Sequence, residues 1–239
     1  AGEAAHADQA DGDRRDGGDD VTQVKALCDY KGYKAGLLND KALMNDVWKV
    51  LDEADIVVAH NGQAFDTKKI NARFIINGLD APSSYDVVDT LKVAKKYFRF
   101  DSNSLDDLGL YLGEGTKVST GGFSLWTACM AGDSDAWKRM KTYNIADVDL
   151  LERIYLRLRP FMTGDHPDVN LISGNVGTPH CHVCGSAHVQ KRGFSFTKTG
   201  RKQRYQCSDC SSWSAGPYER VRTNSGVPLS MRPEDDEDA

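Results

Sequence analysis

A chain of 239 residues, 40% of them hydrophobic, is long enough for one medium domain or for one medium and one small domain. Thirty-five acidic and 30 basic residues give a net charge of −5. No apolar run approaches the ~18–20 residues of a bilayer span, and no basic-then-apolar start marks a secretory signal, so membrane roles are excluded and a cytoplasmic location is expected.

The charge is uneven. Residues 1–20 hold seven acids and two arginines among Ala and Gly, a composition expected to stay disordered. From Val21, "VTQVKALCDY" and "YKAGLL" read as two short strands joined at Lys31-Gly32. In "DKALMNDVWKVLDEA", Leu43, Val47, Val50 and Leu51 recur at helical spacing. Ile56 to Ala59 is a continuous apolar run that reads as a buried strand, ended by the turn residues His60-Asn61-Gly62. "TKKINARFIINGL" predicts a helix stopping at Gly78. Tyr85 to Val88 reads as a strand running into another helix. "SLDDLGLYLG" is a short helix closed by Gly113, and Asp133 or Ser134 caps a long helix ahead of Pro160. This alternation from 21 to 160 predicts an α/β domain. Residues 161–178 read as a linker, 179–216 as a second small module, and 217–239 as an acidic tail.

Four of the six cysteines make two Cys-x-x-Cys pairs, Cys181/Cys184 and Cys207/Cys210, with 22 residues between them. Two such knuckles suit a tetrahedral Zn²⁺ site in a reducing compartment, the alternative being two disulfides. Cys28 and Cys129 stand in apolar segments and read as buried small hydrophobes. Between the knuckles the sequence alternates and turns at Thr199-Gly200, the layout of a zinc ribbon. His180, His182 and His188 are expected to be bystanders, because four cysteines fill the site. The hairpin carries Lys191, Arg192, Lys198, Arg201, Lys202 and Arg204 with Phe194, Phe196, Tyr205 and Trp213 interleaved. Cations with aromatic rings fit a phosphate backbone and stacked bases, the alternative being a solvated basic hairpin.

Two carboxylates stand out in the first domain. Asp66 follows the Ile56–Ala59 strand at the start of a helix. Asp147 shares a helix face with Tyr143, four residues before it. A strand-end acid and a helix acid are the parts a two-metal phosphodiesterase needs, but each alone is common. Asp149 lies on another face and is expected in solvent.

His60-Asn61-x-x-x-Phe65-Asp66 resembles the second motif of the DnaQ-like 3′–5′ exonucleases of the ribonuclease H-like superfamily. Tyr143-x-x-x-Asp147 resembles their third motif in its tyrosine form, the DEDDy class. The "GGFSLW" segment, Gly121 to Trp126, resembles a phage and bacterial branch, of which some phage members carry a zinc ribbon. The resemblance implies a mixed sheet with flanking helices and a metal-dependent 3′–5′ exonuclease. Asp66 and Asp147 would bind Mg²⁺ or Mn²⁺, and Tyr143 would orient the attacking water. Asn61 and Phe65 would contact the terminal nucleotide. Single-stranded DNA is expected as substrate ahead of RNA, in a bacterial or phage-infected cell. His60 is expected to be structural, and Asp89 a helix cap before a site residue. The family's first motif, Asp-x-Glu on the opening strand, is not found. Either it lies on polypeptide outside these residues or the chain lacks it, which leaves a nucleic-acid-binding zinc-ribbon protein with an inactive nuclease domain as the alternative. A partner-recruiting ribbon without nucleic-acid affinity is a third reading.

Overall fold

The computed structural model describes residues 22–35, 39–117, 122–162, 164–174, 177 and 179–220. The expected disordered start and acidic end lie outside the described residues. The chain divides into two units, Ala1–Met162 and Thr163–Ala239.

In the first unit, α1 (Lys41–Glu53) leads to strand β1 (Ile56–Ala59), helix α2 (Asp66–Ile76), strand β2 (Asp86–Asp89) and helix α3 (Thr90–Tyr97). Helices α4 (Leu105–Leu112), α5 (Phe123–Met130) and α6 (Ser134–Leu158) follow. β1 and β2 pair in parallel, Ile56 opposite Asp86 and Ala59 opposite Asp89. A parallel pair needs a crossover, and α2 supplies it. The consequence is that the C-terminal ends of both strands lie side by side, so the His60-Asn61-Gly62 turn meets Asp89-Thr90.

The helix ends follow local chemistry. Ser104 Oγ accepts from Asp107 N at α4 and Asp133 Oδ1 from Ala136 N at α6, each satisfying an otherwise unpaired N–H. Gly113 closes α4 in the left-handed region at φ +72°. The main core gathers Val88, Ala94, Leu108, Leu150, Ile154 and Leu158 from β2, α3, α4 and α6. A second cluster, Leu125, Cys129, Ala136 and Met140, joins α5 to the start of α6 and has Tyr143 packed against it. α1 and α2 meet around Met44, Leu51 and Phe74. A two-pronged ion pair adds to that contact, with Arg73 Nε and Nη2 at 2.6 and 2.5 Å from the Asp40 carboxylate oxygens.

The two strands expected between Val21 and Leu38 do not form in the described part of that span. The Lys31-Gly32 turn is present, but Leu27–Asp29 makes a 3₁₀ turn instead. Asp29 explains the difference. Its carboxylate accepts from Ala26 N at 2.8 Å and holds Lys141 on α6, so the segment is tied to a helix rather than to a strand ladder. The described sheet of this unit is correspondingly two parallel strands, with no antiparallel strand joined to it. Asp149, expected in solvent, is half-buried and accepts a hydrogen bond from Thr22. Cys129 is buried and Cys28 half-buried.

The second unit begins with a one-turn helix, α7 (Val169–Ser173), inside the stretch expected as a linker. An antiparallel sheet follows, in the order β3 (Val189–Phe196), β4 (Gly200–Cys207), β5 (Trp213–Arg220). The expected hairpin is β3–β4. The third strand runs past residue 216, and Gly200 makes room for it, since a Cβ there would meet Glu219 O at 2.3 Å.

Candidate active site and metal centre

The first-unit site is built on the turn after β1. Asn61 takes the left-handed conformation at φ +63°, which asparagine tolerates better than most residues. Gly62 is buried beneath the strand end, and a Cβ there would sit 2.4 Å from Ala59 Cβ, so no larger residue fits. The same position lies 3.9 Å from Asp66 Oδ2, so the Asp66 carboxylate reaches back over the turn from the first residue of α2. A carboxylate there also meets the favourable end of the helix dipole. Phe65 precedes it, 59% exposed, with the Lys69 ammonium 5.9 Å from its ring centroid.

Asp89 ties the two strand ends together. Its Oδ1 accepts from Asn61 N at 2.9 Å and from Leu91 N at 3.1 Å, so one oxygen caps α3 and fixes the turn. Its Oδ2 is buried without a partner. His60 Nδ1 lies 2.9 Å from Thr90 Oγ1, which donates to Ala59 O at 3.2 Å. The hydroxyl proton is therefore committed, and His60 donates from Nδ1. Burial pushes the His60 pKa down, Asp89 and an Asn103 backbone hydrogen bond partly oppose this, and Lys117 adds to it.

On α6, Tyr143 and Asp147 face one cation. Lys117 Nζ donates to Asp147 Oδ2 at 2.9 Å and to Tyr143 Oη at 3.3 Å, and lies 5.6 Å from the tyrosine ring centroid. Burial pulls the Lys117 pKa down, but the bonds to Asp147 and Tyr143 outweigh it and hold the ammonium charged above its ordinary 10.5. Asp147 Oδ1 is buried with no partner. A carboxylate oxygen taken from water and left unpaired is costly, and a cation at that oxygen would relieve the cost. A groove of about 580 Å³ opens beside these groups, lined by His60, Asn61, Lys95, Asn103, Asp106 and Lys117.

The fold thus brings Tyr143 and Asp147 together with Lys117, and His60 and Asn61 together with Asp89. Asp66 lies over the same turn but is exposed. Among the described residues, no group of three acids or histidines gathers close enough for a metal ion around Asp66 or Asp147; the one such group is the four cysteines. Lys117 was not singled out in the sequence, and Asp89, expected as a helix cap, caps α3 and also holds Asn61 N. Lys117 sits in "GEGTKVSTGG", where no periodicity points to a site, although a lone lysine in a glycine-rich loop was the available signal.

A family model described as RNase H superfamily matches residues 19–159. The chain belongs to the RNase H superfamily. The match covers the whole β1–α6 arrangement, and an RNase H-superfamily domain points to nuclease-type function with nucleic acid as substrate. No curated protein and no solved structure matches the chain at a comparable level.

Beyond the matched domain, the second unit places its four cysteines for a metal. Their ligand atoms lie within 4.8 Å of one another. Cys181 Sγ is 3.5 Å from Cys210 Sγ, and Cys184 Sγ is 3.7 Å from Cys207 Sγ. A tetrahedron with metal–sulfur bonds of about 2.3 Å has sulfur–sulfur edges of about 3.8 Å. Disulfides would need about 2.05 Å. The Cys181 and Cys184 thiols around Cys210 push its pKa down, which favours a thiolate there. Of the predicted basic residues, Lys191 and Arg192 are exposed on β3 and Lys198 in the turn. Lys202 is exposed on β4. Arg201 is engaged, 2.8 Å from Glu219 and 4.1 Å over the Phe194 ring, and Arg204 lies 5.5 Å over Trp213.

Proposed function

We propose that this RNase H-superfamily chain is a DnaQ-like, DEDDy-class 3′–5′ exonuclease acting on single-stranded nucleic acid, DNA ahead of RNA. The observation that carries the reading is the state of Asp147. One oxygen is held by Lys117, and the other is buried with no partner, one helical turn from a phenol. That donor set fits a divalent cation of the Mg²⁺ or Mn²⁺ type, which favours carboxylate oxygen. Asp147 and Asp66 would hold it, and such an ion when bound supplies charge for the developing oxyanion and activates water. Tyr143 would position that water, and Asn61 and Phe65 the terminal nucleotide. Two ions need more carboxylates than the described residues gather, so the two-metal form requires an acid pair from another strand.

The four cysteines are proposed as a structural Zn²⁺ site in a zinc ribbon spanning about residues 179–220. A closed Cys₄ site has no open position for substrate, so its part is to hold the basic hairpin.

The deciding experiment is digestion of a 5′-labelled single strand with Mn²⁺. A ladder shortening from the 3′ end is expected, abolished by Asp147→Asn and reduced at least about a hundredfold by Asp66→Asn, as loss of a group stabilising transition-state charge requires. No ladder with intact, salt-sensitive binding would sink the exonuclease reading. It would favour a nucleic-acid-binding protein with an inactive nuclease domain. The Lys117–Asp147 ion pair is the feature that favours that second reading, since an ammonium already holds the Asp147 oxygen that a metal ion would take.

A further inference from the structure

The three-stranded sheet of the second unit has two unlike faces. Successive side chains of a strand point to opposite faces, and residues paired across a ladder share one. Each ladder has one register shift, and each shift puts the extra residue on an outer strand. β3 advances from Lys191 to Phe194 while β4 passes from Tyr205 to Gln203, and β5 advances from Ala215 to Tyr218 while β4 passes from Arg204 to Lys202. β4 therefore alternates without a break. Arg201, Gln203, Tyr205 and Cys207 take one face, and all are half-buried or buried. Cys207 and its partner Val189 belong to the cysteine cluster, so this face looks inward. Lys202, Arg204 and Gln206 take the other face, with Tyr218, Ala215 and Trp213 as their β5 partners. All of these but Gln206 are exposed.

Two aromatic rings are held on this outer face. Tyr218 lies over Gly200, where a Cβ would come 2.6 Å from Cζ, and its hydroxyl is 2.6 Å from Thr199 Oγ1. The ring is pinned at its far end and stays 44% exposed. Trp213 is 37% exposed, with the Arg204 guanidinium 5.5 Å from its ring centroid. The β4 partners of the two rings, Lys202 and Gln206, are four positions apart. The rings therefore stand about 13 Å apart along the sheet, at ~3.3 Å per residue. Across Gln206 from Trp213, a groove of about 270 Å³ lined by Gln190, Arg192 and Ser211 brings a third cation to the same face. The one acid in the sequence of β3–β5, Glu219, is on the inward face and pairs with Arg201.

Exposed rings set among cations, with no acid on the same face of the strands, are the complement of a polyanion that also offers flat rings. An acidic peptide would meet the cations and leave both rings without a stacking partner. A duplex keeps its bases stacked on one another. A single strand answers both features, since its bases are free to stack on protein rings while its phosphates meet the cations. We propose that this outer face, and not the basic hairpin as a whole, is where the single strand lies, with bases stacked on Tyr218 and Trp213 and phosphates at Arg192, Lys202 and Arg204. Lys191 and Arg201 point to the opposite face and take no part. The inference rests on the nucleic-acid reading above and assigns it a surface.

The test uses the full, metal-loaded chain carrying Asp147→Asn, so that no strand is cut. Binding of labelled dT and abasic strands of equal length, which carry the same phosphates, is measured over a salt series. The dT strand should bind roughly tenfold more tightly. Trp213→Ala and Tyr218→Ala should each erode that preference while leaving abasic binding and metal content unchanged. Lys202→Ala should lower the slope of log affinity against log salt by about one. Lys191→Ala removes the same charge from the opposite face and should leave the slope as it was. Equal binding of dT and abasic strands overturns the inference, as does a preference that survives in both ring variants or an equal change of slope in the two lysine variants. If a ring variant loses its metal, dT is titrated into the Asp147→Asn chain and the Trp213 indole N–H, assigned from Trp213→Phe, is followed by NMR; a saturable shift supports the outer face and no shift overturns it. The two readings fail separately. Binding blind to the rings by a chain that still digests DNA removes only the outer face, and ring-dependent binding by a chain that digests nothing removes only the exonuclease.

Discussion

At the scale of single residues, the site is organised by groups that do two things at once. One Asp89 oxygen serves the turn after β1 and the cap of α3. One Lys117 ammonium neutralises Asp147 and touches Tyr143. His60 is held in its neutral form by burial, with Asp89 and Lys117 the charged groups facing it. The sign of its effect on stability follows. A histidine whose folded pKa is depressed binds protons more readily when unfolded, so stability is fully present above its ordinary 6.5 and falls as pH drops below it. Urea midpoints measured between pH 8 and 5 should fall through that window in the unaltered chain. The slope should flatten in His60→Gln, which cannot take up the proton. A slope unchanged by the substitution would mean that other groups carry the dependence.

The residue scale is also where the sequence told least about partners. His60-Asn61-x-x-x-Phe65-Asp66 and Tyr143-x-x-x-Asp147 were legible as motifs because short spacings along one turn or one helix face are fixed by local geometry. Lys117 was not, because its partners lie 26 and 30 positions away and only the fold brings them within reach.

At the scale of elements, periodicity and capping worked well where an element's own sequence decides its form. α1, α2, α4 and α6 fall where apolar spacing and the Asp133 and Gly113 signals put them. The segment from Thr22 to Ala35 shows the limit. Its Val-containing pattern fits a strand, but a strand exists only with a ladder partner, and Asp29 secures the segment to α6 instead. β5 was missed for a related reason, because Gly216 and Pro217 break the strand pattern and only pairing with β4 reveals it. Of all elements, α6 links most of the first unit, with Ile154 fully buried in the main core. Ile154→Ala should cost about 2–5 kcal/mol by lost transfer and a residual cavity. Leu156→Ala on the same helix, at a position 40% exposed, should cost well under half as much. Equal losses, read from denaturant unfolding, would show that α6 does not bury the face described.

At the scale of the whole molecule, the two units differ in what holds them. The first has three apolar clusters contributed by several helices. Among the described residues the second has one, and cysteine makes up most of it: Cys181, Cys207 and Cys210 with Val183, flanked by Cys184 and Val189. On the proposal that the four cysteines hold zinc, the free energy of metal binding adds to the free energy of folding of so small a core. A strong zinc chelator should therefore abolish the β3–β5 amide protection seen by hydrogen exchange and leave α6 protected. Protection kept in both units after the metal is gone would refute a structural metal. In the sequence, Cys-x-x-Cys spacing and a basic alternating hairpin set residues 179–216 apart from residues 22–162, where neither occurs.

The contact between Ala59 and Gly62 has a consequence for how this chain can vary over time. With 2.4 Å available where a methyl group would stand, position 62 cannot take a side chain while Ala59 keeps its own methyl. The two behave as one locus, so a viable replacement at 62 requires the loss of the methyl at 59 in the same lineage. The order of change is thereby set, with the methyl at 59 lost first, through a chain with glycine at both positions. A motif that looks like a string of independent letters is, at this point, inherited as a pair.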